Sequence, residues 1–315
     1  MRSGKVPSNV LKEIVMSSLD RWPDNLLVGP KIGEDAAVLE TKDGFEVIAS
    51  DPVTGAAKNI GYHAVYVNSN DIAATGADPK YMTVTILLKE DSCEDDLKEI
   101  MEQINSACHD IGAFVIGGHT EMVPNQKINI ICGTMIGWTK RYVPTSGARG
   151  GDKILMTKGA GIEGTSILAH ELDEELEPKL GREVVEEAKR YSKMLSILKE
   201  SRLIRDYATC MHDPTEGGIA GALNEMAMAS GKGFHIEKGE IMVSEATQKI
   251  CSYFGIDPLN LISSGTLLAT IPPEHVEKVS ALMRESGIPY SFIGEITLEG
   301  TNLPMPKIDA LWEII

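Results

Sequence analysis

The sequence predicts a mixed α/β or α+β protein with two domains, and three observations carry that expectation. Hydrophobic residues make up 43% of a 315-residue chain, enough for a packed core at a length that suits one large domain or two medium ones. Runs with strand character are interspersed with runs of helical spacing, without the regular alternation of a βαβ fold. Pro144, Ser146, Gly147, Gly150 and Gly151 cluster between two apolar strands, which marks a linker and divides the chain into 1–148 and 149–315.

Ser8, after Pro7, is the expected N-cap of a first helix with Leu11, Ile14, Val15 and Leu19 on its apolar face. Residues 45–50 read as a strand, 61–75 as a helix, and 81–88, rich in β-branched and apolar side chains, as another strand. Within 93–111, Leu97, Ile100, Met101, Ile104 and Cys108 recur at helical spacing. Residues 113–116 and 128–136 predict strands, with Ile128, Ile130, Cys132 and Thr134 on one side of the second. Past the linker, 153–157 predicts a strand, 165–171 a helix, and the charge-dense 171–190 a solvated helical region. Helices are expected at 217–229, 244–254 and 273–286, and strands at 233–236, 266–271 and 290–295.

Thirty Lys and Arg against 46 Asp and Glu give a formal charge of −16. That balance repels nucleic acid and anionic membranes, so neither is an expected partner. No stretch approaches the apolar length of a membrane helix, and residues 1–7 lack a signal-peptide core, so a cytoplasmic location is expected. The five cysteines (Cys93, Cys108, Cys132, Cys210 and Cys251) are scattered without a CxxC pair, which predicts buried reduced thiols.

Six clusters could carry chemistry. In Gly33-Glu34-Asp35-Ala36-Ala37, a glycine and two small residues let a carboxylate stand close to backbone and ligand, although a surface turn would look the same. Asp51 ends an apolar strand and is held extended by Pro52, again compatible with a simple turn. Asn70 and Asp71 lie inside an apolar, small-residue helix, where an unpaired carboxylate is costly, so a structural partner or a metal is expected. Gly117-Gly118-His119-Thr120-Glu121 follows a strand and offers open amides, an imidazole, a hydroxyl and a carboxylate. Gly159-Ala160-Gly161-Ile162-Glu163-Gly164 has GxGxxG spacing but no βαβ context, which leaves a phosphate nest or a tight turn. Met211-His212-Asp213-Pro214-Thr215-Glu216-Gly217-Gly218-Ile219-Ala220 joins a carboxylate, a hydroxyl and a glycine pair at a helix start, as a functional cluster or as an N-cap at Asp213 or Thr215. Several carboxylates sharing one triphosphate would need Mg²⁺ between them.

In this order, and with Ser263-Ser264-Gly265-Thr266-Leu267-Leu268 downstream, the motifs resemble the aminoimidazole ribonucleotide synthetase (PurM-like) superfamily over nearly the whole chain. The last two motifs look most like its hydrogenase-maturation (HypE) members. The resemblance implies an N-terminal ATP-binding domain over 1–148, whose strands close into a barrel shared across a homodimer, and a C-terminal α/β domain over 149–315. It implies ATP and Mg²⁺ as cofactors. Asp35, Asp51 and Asp71 match the family's metal-binding acids, and Gly117, Gly118, His119 and Thr120 its nucleotide loop. Gly33, Asn70, Gly161 and Gly164 are further candidate nucleotide contacts, and Asp213 and His119 the candidate catalytic side chains. The implied chemistry is ATP-driven activation of an unidentified small-molecule or protein-borne acceptor, with a maturation protein as a possible partner. A kinase or synthetase similar to thiamine-monophosphate kinase, or a nucleotide-binding partner without catalysis, are the alternatives. The pattern departs from HypE in two places: the final residues, through Ile315, carry no cysteine, and position 216 is Glu where HypE usually has Arg. Self-carbamoylation of a terminal thiol is therefore not expected.

Overall fold

A computed structural model describes residues 4–54 and 58–315; the first three residues of the expected plain N-terminus lie outside these. Two sheets organise the chain. The first contains β1 (Leu26–Val28), β2 (Ala37–Thr41), β3 (Gly44–Ala49), β4 (Pro52–Val53), β5 (Asp78–Leu88), β6 (Phe114–Met122) and β7 (Ile130–Thr139). Its order is β1-β2-β3-β7-β5-β6, with β4 also on β7. All pairings are antiparallel except β5 with β6, which are joined by the crossover helix α3 (Glu94–Ile111). The second sheet is antiparallel in the order β10-β12-β8-β11-β9: β8 is Lys153–Thr157, β9 Cys210–His212, β10 Gly233–Ile236, β11 Leu268–Ile271 and β12 Tyr290–Thr297.

Helix α2 (Ile60–Ala74) is buried along almost its whole length. A helix of small and apolar residues on every side suits a position enclosed by protein rather than a surface. It packs against β7, α3 and α7 (Leu198–Ile204). Two glycines on β7 allow this approach: a Cβ on Gly137 would lie 2.4 Å from Ile72 Cγ2, and one on Gly133 2.6 Å from Asn68 Nδ2. Around the second sheet lie α4 (Ile162–Glu171), α5 (Asp173–Leu180), α6 (Arg182–Arg190), α8 (Gly218–Ser230), α9 (Glu245–Phe254) and α10 (Val276–Ser286). Leu155 of β8 joins one apolar cluster while Ile154 and Met156 join another, so this sheet is covered on both faces.

The halves are pinned to each other by polar groups. Asn70 Nδ2 donates to Leu195 O (2.7 Å) and Asn70 Oδ1 accepts from Ile197 N (3.0 Å). Buried His63 of α2 meets Glu163 of α4 at 2.9 Å. Arg141 donates to the carbonyls of Arg205 and Ala208. The predicted linker is a fixed turn, because the Glu34 carboxylate accepts from Thr145 N and Ser146 N at 3.0 and 3.1 Å.

Several expectations need correction. The first helix, α1 (Ser8–Val10), has Pro7 rather than Ser8 at its N-cap and passes at once into a π turn and a 3₁₀ turn. Ser17 and Ser18 hydroxyls bond back to Glu13 O and Ile14 O, a local alternative to the regular ladder, and Ile14, Val15 and Leu19 are left exposed. On β7 the expected alternation holds, with Ile130, Cys132 and Thr134 together on the partly buried side and Ile131, Gly133, Met135 and Gly137 on the buried one, but the strand starts at Ile130, after Ile128. The strand expected at 113–116 runs on through Met122, so Gly117 to Glu121 form part of β6 and not a loop. Of the cysteines, Cys108, Cys210 and Cys251 are buried, Cys132 is half-buried, and Cys93 is exposed at the start of α3.

Candidate functional site

Four aspartates arrive from four different elements. Asp35 follows Gly33, whose φ of +85° and missing side chain let the turn press on α8; a Cβ there would lie 2.8 Å from Glu225 O. Asp51 leaves the end of β3, and Asn68 of α2 clamps its main chain, with Asp51 N donating to Asn68 Oδ1 (2.8 Å) and Asn68 Nδ2 donating to Asp51 O (3.1 Å). Asp71 stands one α2 turn further along, and Asp213 directly follows β9. Asp213 is 1% exposed, and neither of its carboxylate oxygens has a hydrogen-bond partner among the described residues.

A chain of charge runs away from these acids. His212 Nδ1 lies 2.6 Å from Asp35 Oδ1, an ionic contact off the hydrogen-bonding axis, and His212 Nε2 lies 3.1 Å from Glu225 Oε2. Glu225 Oε1 accepts from Lys5 Nζ at 2.9 Å. The backbone of Lys5 donates to Glu216 Oε2 (2.6 Å), and Trp312 Nε1 donates to Glu216 Oε1 (3.1 Å). The N-terminal segment and the Trp312 turn thus meet on one carboxylate.

These contacts fix the electrostatics. Burial, and then repulsion from the neighbouring acids, pushes Asp71 and Asp213 well above the ordinary carboxylate range. Burial also raises Asp35, against the pull of His212, and raises Asp51, against that of Lys5. Burial alone would lower His212, yet Asp35 and Glu225 hold its imidazolium well above the usual histidine value. Glu225 would likewise be raised by burial, but His212 and Lys5 bring it down to about 2.

One group of metal-ligating atoms emerges among the described residues: Asp35, His212 and Asp213, all within 4.8 Å of one another. Because His212 already faces a carboxylate at each nitrogen, it is better suited to orient Asp35 than to ligate. The carboxylates are hard oxygen donors of the kind Mg²⁺ takes. The two unpartnered oxygens of Asp213 are what such a cation would satisfy. Beside this cluster opens a cavity of about 620 Å³, lined by Lys5, Asp51, Glu163, Glu216, Ser264 and Trp312 among others.

The remaining candidates fall elsewhere. Asn70 is fully buried and bonds the backbone of Leu195 and Ile197 through the two ends of its amide, which gives it a structural role at the junction of the halves. Gly161 N donates to Ser263 Oγ at 2.6 Å and Gly164 N to Ile262 O at 3.0 Å, while a Cβ on Gly164 would lie 2.4 Å from Leu261 Cγ. The protein's own 261–263 segment therefore fills that helix N-terminus, and the tight-turn alternative replaces the phosphate nest. Gly117, Gly118, His119 and Thr120 lie on the exposed edge strand β6 and do not line the cavity; His119 faces Glu121 at 3.6 Å. Sequence reasoning missed His212, Glu225, Lys5, Glu163 and Trp312 as parts of this region. His212 stood beside a selected acid and Glu163 inside the glycine-rich 159–164 cluster, whereas Glu225, Lys5 and Trp312 are brought in from remote positions by tertiary packing.

Removing metal should expose the strain among the acids. Asp71 and Asp213 bind protons more tightly folded than unfolded, so in chelator the melting temperature should fall as pH rises from about 5 to 8, away from the ordinary value of 3.8. His212 acts in the same direction once its raised value is approached. Asp213→Asn should stabilise the metal-free protein at the upper end of that range by about 1–3 kcal/mol. Scanning calorimetry in chelator checks both; a melting temperature that rises with pH, or a destabilised Asp213→Asn, would contradict this electrostatic account.

Comparison with known proteins identifies the family and the fold. Residues 33–139 match the N-terminal domain, and 149–302 the C-terminal domain, of AIR synthase related proteins. The carbamoyl dehydratase HypE of Azotobacter vinelandii is 30% identical, over 89% of this chain and 81% of that protein. The hydrogenase expression/formation protein HupE of Azotobacter chroococcum mcd 1 is 29% identical, over 94% and 86%. Among solved structures, a HypE–HypF complex superposes with a TM-score of 0.76 (22% identity; 95% of this chain, 98% of that one). A HypE bound to ATP gives 0.70 (23%; 98% and 97%), and AaThiL with AMPPCP and TMP gives 0.77 (21%; 98% and 99%); at such identities these show the fold. The chain belongs to the AIR synthase related, PurM-like family of enzymes and is HypE-like within it.

Proposed function

We propose that the protein is an ATP- and Mg²⁺-dependent enzyme that phosphorylates, and so activates, an oxygen of an acceptor other than water. The observation that carries this reading is the convergence of Asp35, Asp51, Asp71 and Asp213, with both oxygens of Asp213 buried and unpartnered and Asp51 lining an open cavity. Mg²⁺, when bound, would neutralise these acids and the triphosphate and make the γ-phosphorus more electrophilic. Asp35, Asp51, Asp71 and Asp213 are the residues that would hold it.

The chain's own groups do the rest. His212, charged between Asp35 and Glu225, keeps Asp35 from turning away. Lys5 carries positive charge to the rim of the acid cluster. The acceptor oxygen attacks the γ-phosphorus, a new O–P bond forms, the bond to the β-phosphate oxygen breaks, and ADP leaves. Whether the phosphoryl group stays on the product, as in a kinase, or departs in a second step, as in a dehydratase, separates the thiamine-monophosphate kinase type from the HypE type. The HypE–HypF complex supports a second maturation protein as a partner, and the absence, among the described residues, of a helix long and apolar enough to cross a membrane is compatible with the cytoplasm.

We also propose a homodimer formed through β6. All nine of its residues are exposed, including Phe114, Ile116 and Met122, and an open apolar strand edge is a template for another chain. Joining two such edges would close the barrel expected from the family and would carry His119 and Thr120 towards the partner subunit.

Calorimetry should give ATP binding that requires Mg²⁺ and weakens at least tenfold in Asp51→Asn and Asp71→Asn. Equal affinity in chelator, or unchanged affinity in both variants, would sink the metal assignment. Sedimentation at micromolar concentration should give twice the chain mass of 34.1 kDa, and Ile116→Lys should return it to one chain. A monomeric unaltered protein would count against the shared barrel.

A further inference from the structure

Lys158 does not line the cavity beside the acid cluster, and the function proposed above makes no use of it. It directly follows β8 and has a φ of +56°, a left-handed backbone that residues with a side chain rarely adopt. Its side chain is 10% exposed, and a lysine so enclosed is held by partners. Those partners are oxygens from separate segments. Lys158 Nζ donates to Met194 O at 2.8 Å, to Ser196 O at 2.7 Å and to Gly265 O at 2.7 Å. An ammonium has three N–H groups, so the three carbonyls use all of them. The buried Glu200 carboxylate stands 2.7 Å from Nζ as a fourth oxygen, off the hydrogen-bonding axis, and supplies the countercharge. Burial works against the ammonium, and Glu200 works for it.

The surroundings are shaped to bring these oxygens together. Gly265 has a φ of +102°, and a Cβ there would lie 2.7 Å from Met194 O, so only glycine lets the 263–266 turn close on the 194–197 loop. That loop is gripped on alternate groups from two sides. Lys158 takes the carbonyls of Met194 and Ser196, while Asn70 takes Leu195 O and Ile197 N. One positive charge thus joins the end of β8, the loop and the turn. Three backbone carbonyls and a carboxylate around one point are the donor set of a cation in general, and carbonyl oxygens replace the hydration shell of K⁺ in the same way.

We propose that Met194 O, Ser196 O, Gly265 O and Glu200 form a monovalent-cation cage of the kind that takes K⁺ or NH₄⁺, and that the Lys158 ammonium is a tethered cation filling it. The cage is then permanently occupied, and the loop is held without a free ion. Removing the tether opens the cage to a free ion of matching size. This inference does not depend on the phosphoryl-transfer reading, because its readout is the stability of the fold.

Melting temperatures of the full chain can be measured in the chlorides of K⁺, NH₄⁺, Li⁺ and tetramethylammonium at matched ionic strength. The quantity to compare is the deficit of each variant against the unaltered protein in the same salt, which cancels general salt effects. Lys158→Ala keeps a Cβ at the left-handed residue, so the backbone strain is unchanged while the cage is emptied. Its deficit in tetramethylammonium, which is too large for the cage, should shrink by at least half in K⁺ or NH₄⁺. Li⁺, too small to span these oxygens, should not match that rescue. Lys158→Met fills the space with an uncharged stem and should keep its deficit in every salt. Adding Glu200→Gln to Lys158→Ala should abolish the rescue. No deficit in Lys158→Ala, an equal deficit in all four salts, or a rescue that also appears in Lys158→Met or survives Glu200→Gln would overturn the proposal. Should Lys158→Ala not fold in tetramethylammonium, the yield of folded protein on refolding in each salt takes the place of the melting temperature, and failure in all four overturns the proposal equally.

Discussion

Four carboxylates share one partly dry corner of this protein, and much of the architecture can be understood as keeping them there. At the 4.8 Å that bounds Asp35 and Asp213, two unit charges repel by about 3 kcal/mol at an effective dielectric constant of 20. Each acid sits on an element that cannot easily yield. Asp71 is carried by a helix enclosed on all sides, Asp51 is clamped by Asn68, and Asp35 is pressed to α8 by a turn that only glycine fits. Asp213 follows a strand whose three residues are all buried. The scaffold opposes the repulsion mechanically, and His212 and Lys5 offset only part of it. A site that is destabilised when empty and relieved by a cation is preorganised for one.

The same constraint accounts for the inter-sheet contacts. The acids come from both halves of the chain, so their relative position is only as fixed as the junction. Asn70, His63 with Glu163, and Arg141 each tie a side chain of one half to the other half at separations of more than sixty residues, and Glu34 fixes the 145–146 turn where the halves join. Asn70 and Asp71 are adjacent, so the residue that locks the halves sits next to one of the acids.

What could be read beforehand follows from how local the signal is. Strands and helices with clear periodicity, such as β3, α2 and α3, lie close to where the sequence puts them. The mixed α+β fold was legible in the same signals, and Asp71 was legible because a carboxylate in a small-residue helix is costly anywhere, whereas Asp35, Asp51 and Asp213 each looked compatible with a turn or cap and were singled out by the order of the motifs. Three kinds of information were not local. The glycines at 117 and 118 suggested a loop, but pairing with β5 makes them strand. Those at 161 and 164 suggested a phosphate nest, but a distant segment occupies the helix end. Glu225, Lys5 and Trp312 have no motif, since each acts through a partner far away in the chain. The cage around Lys158 is likewise visible only once its surroundings are known.

The central claim is that the four aspartates exist to hold a divalent cation against a triphosphate. The most direct measurement is anomalous diffraction at the manganese edge, from crystals grown with Mn²⁺ and a non-hydrolysable ATP analogue. The account predicts anomalous density between Asp35, Asp51, Asp71 and Asp213, in contact with the analogue's phosphates. Bound analogue with no anomalous peak among these acids, or a peak only at the exposed strand edge near His119, would contradict it.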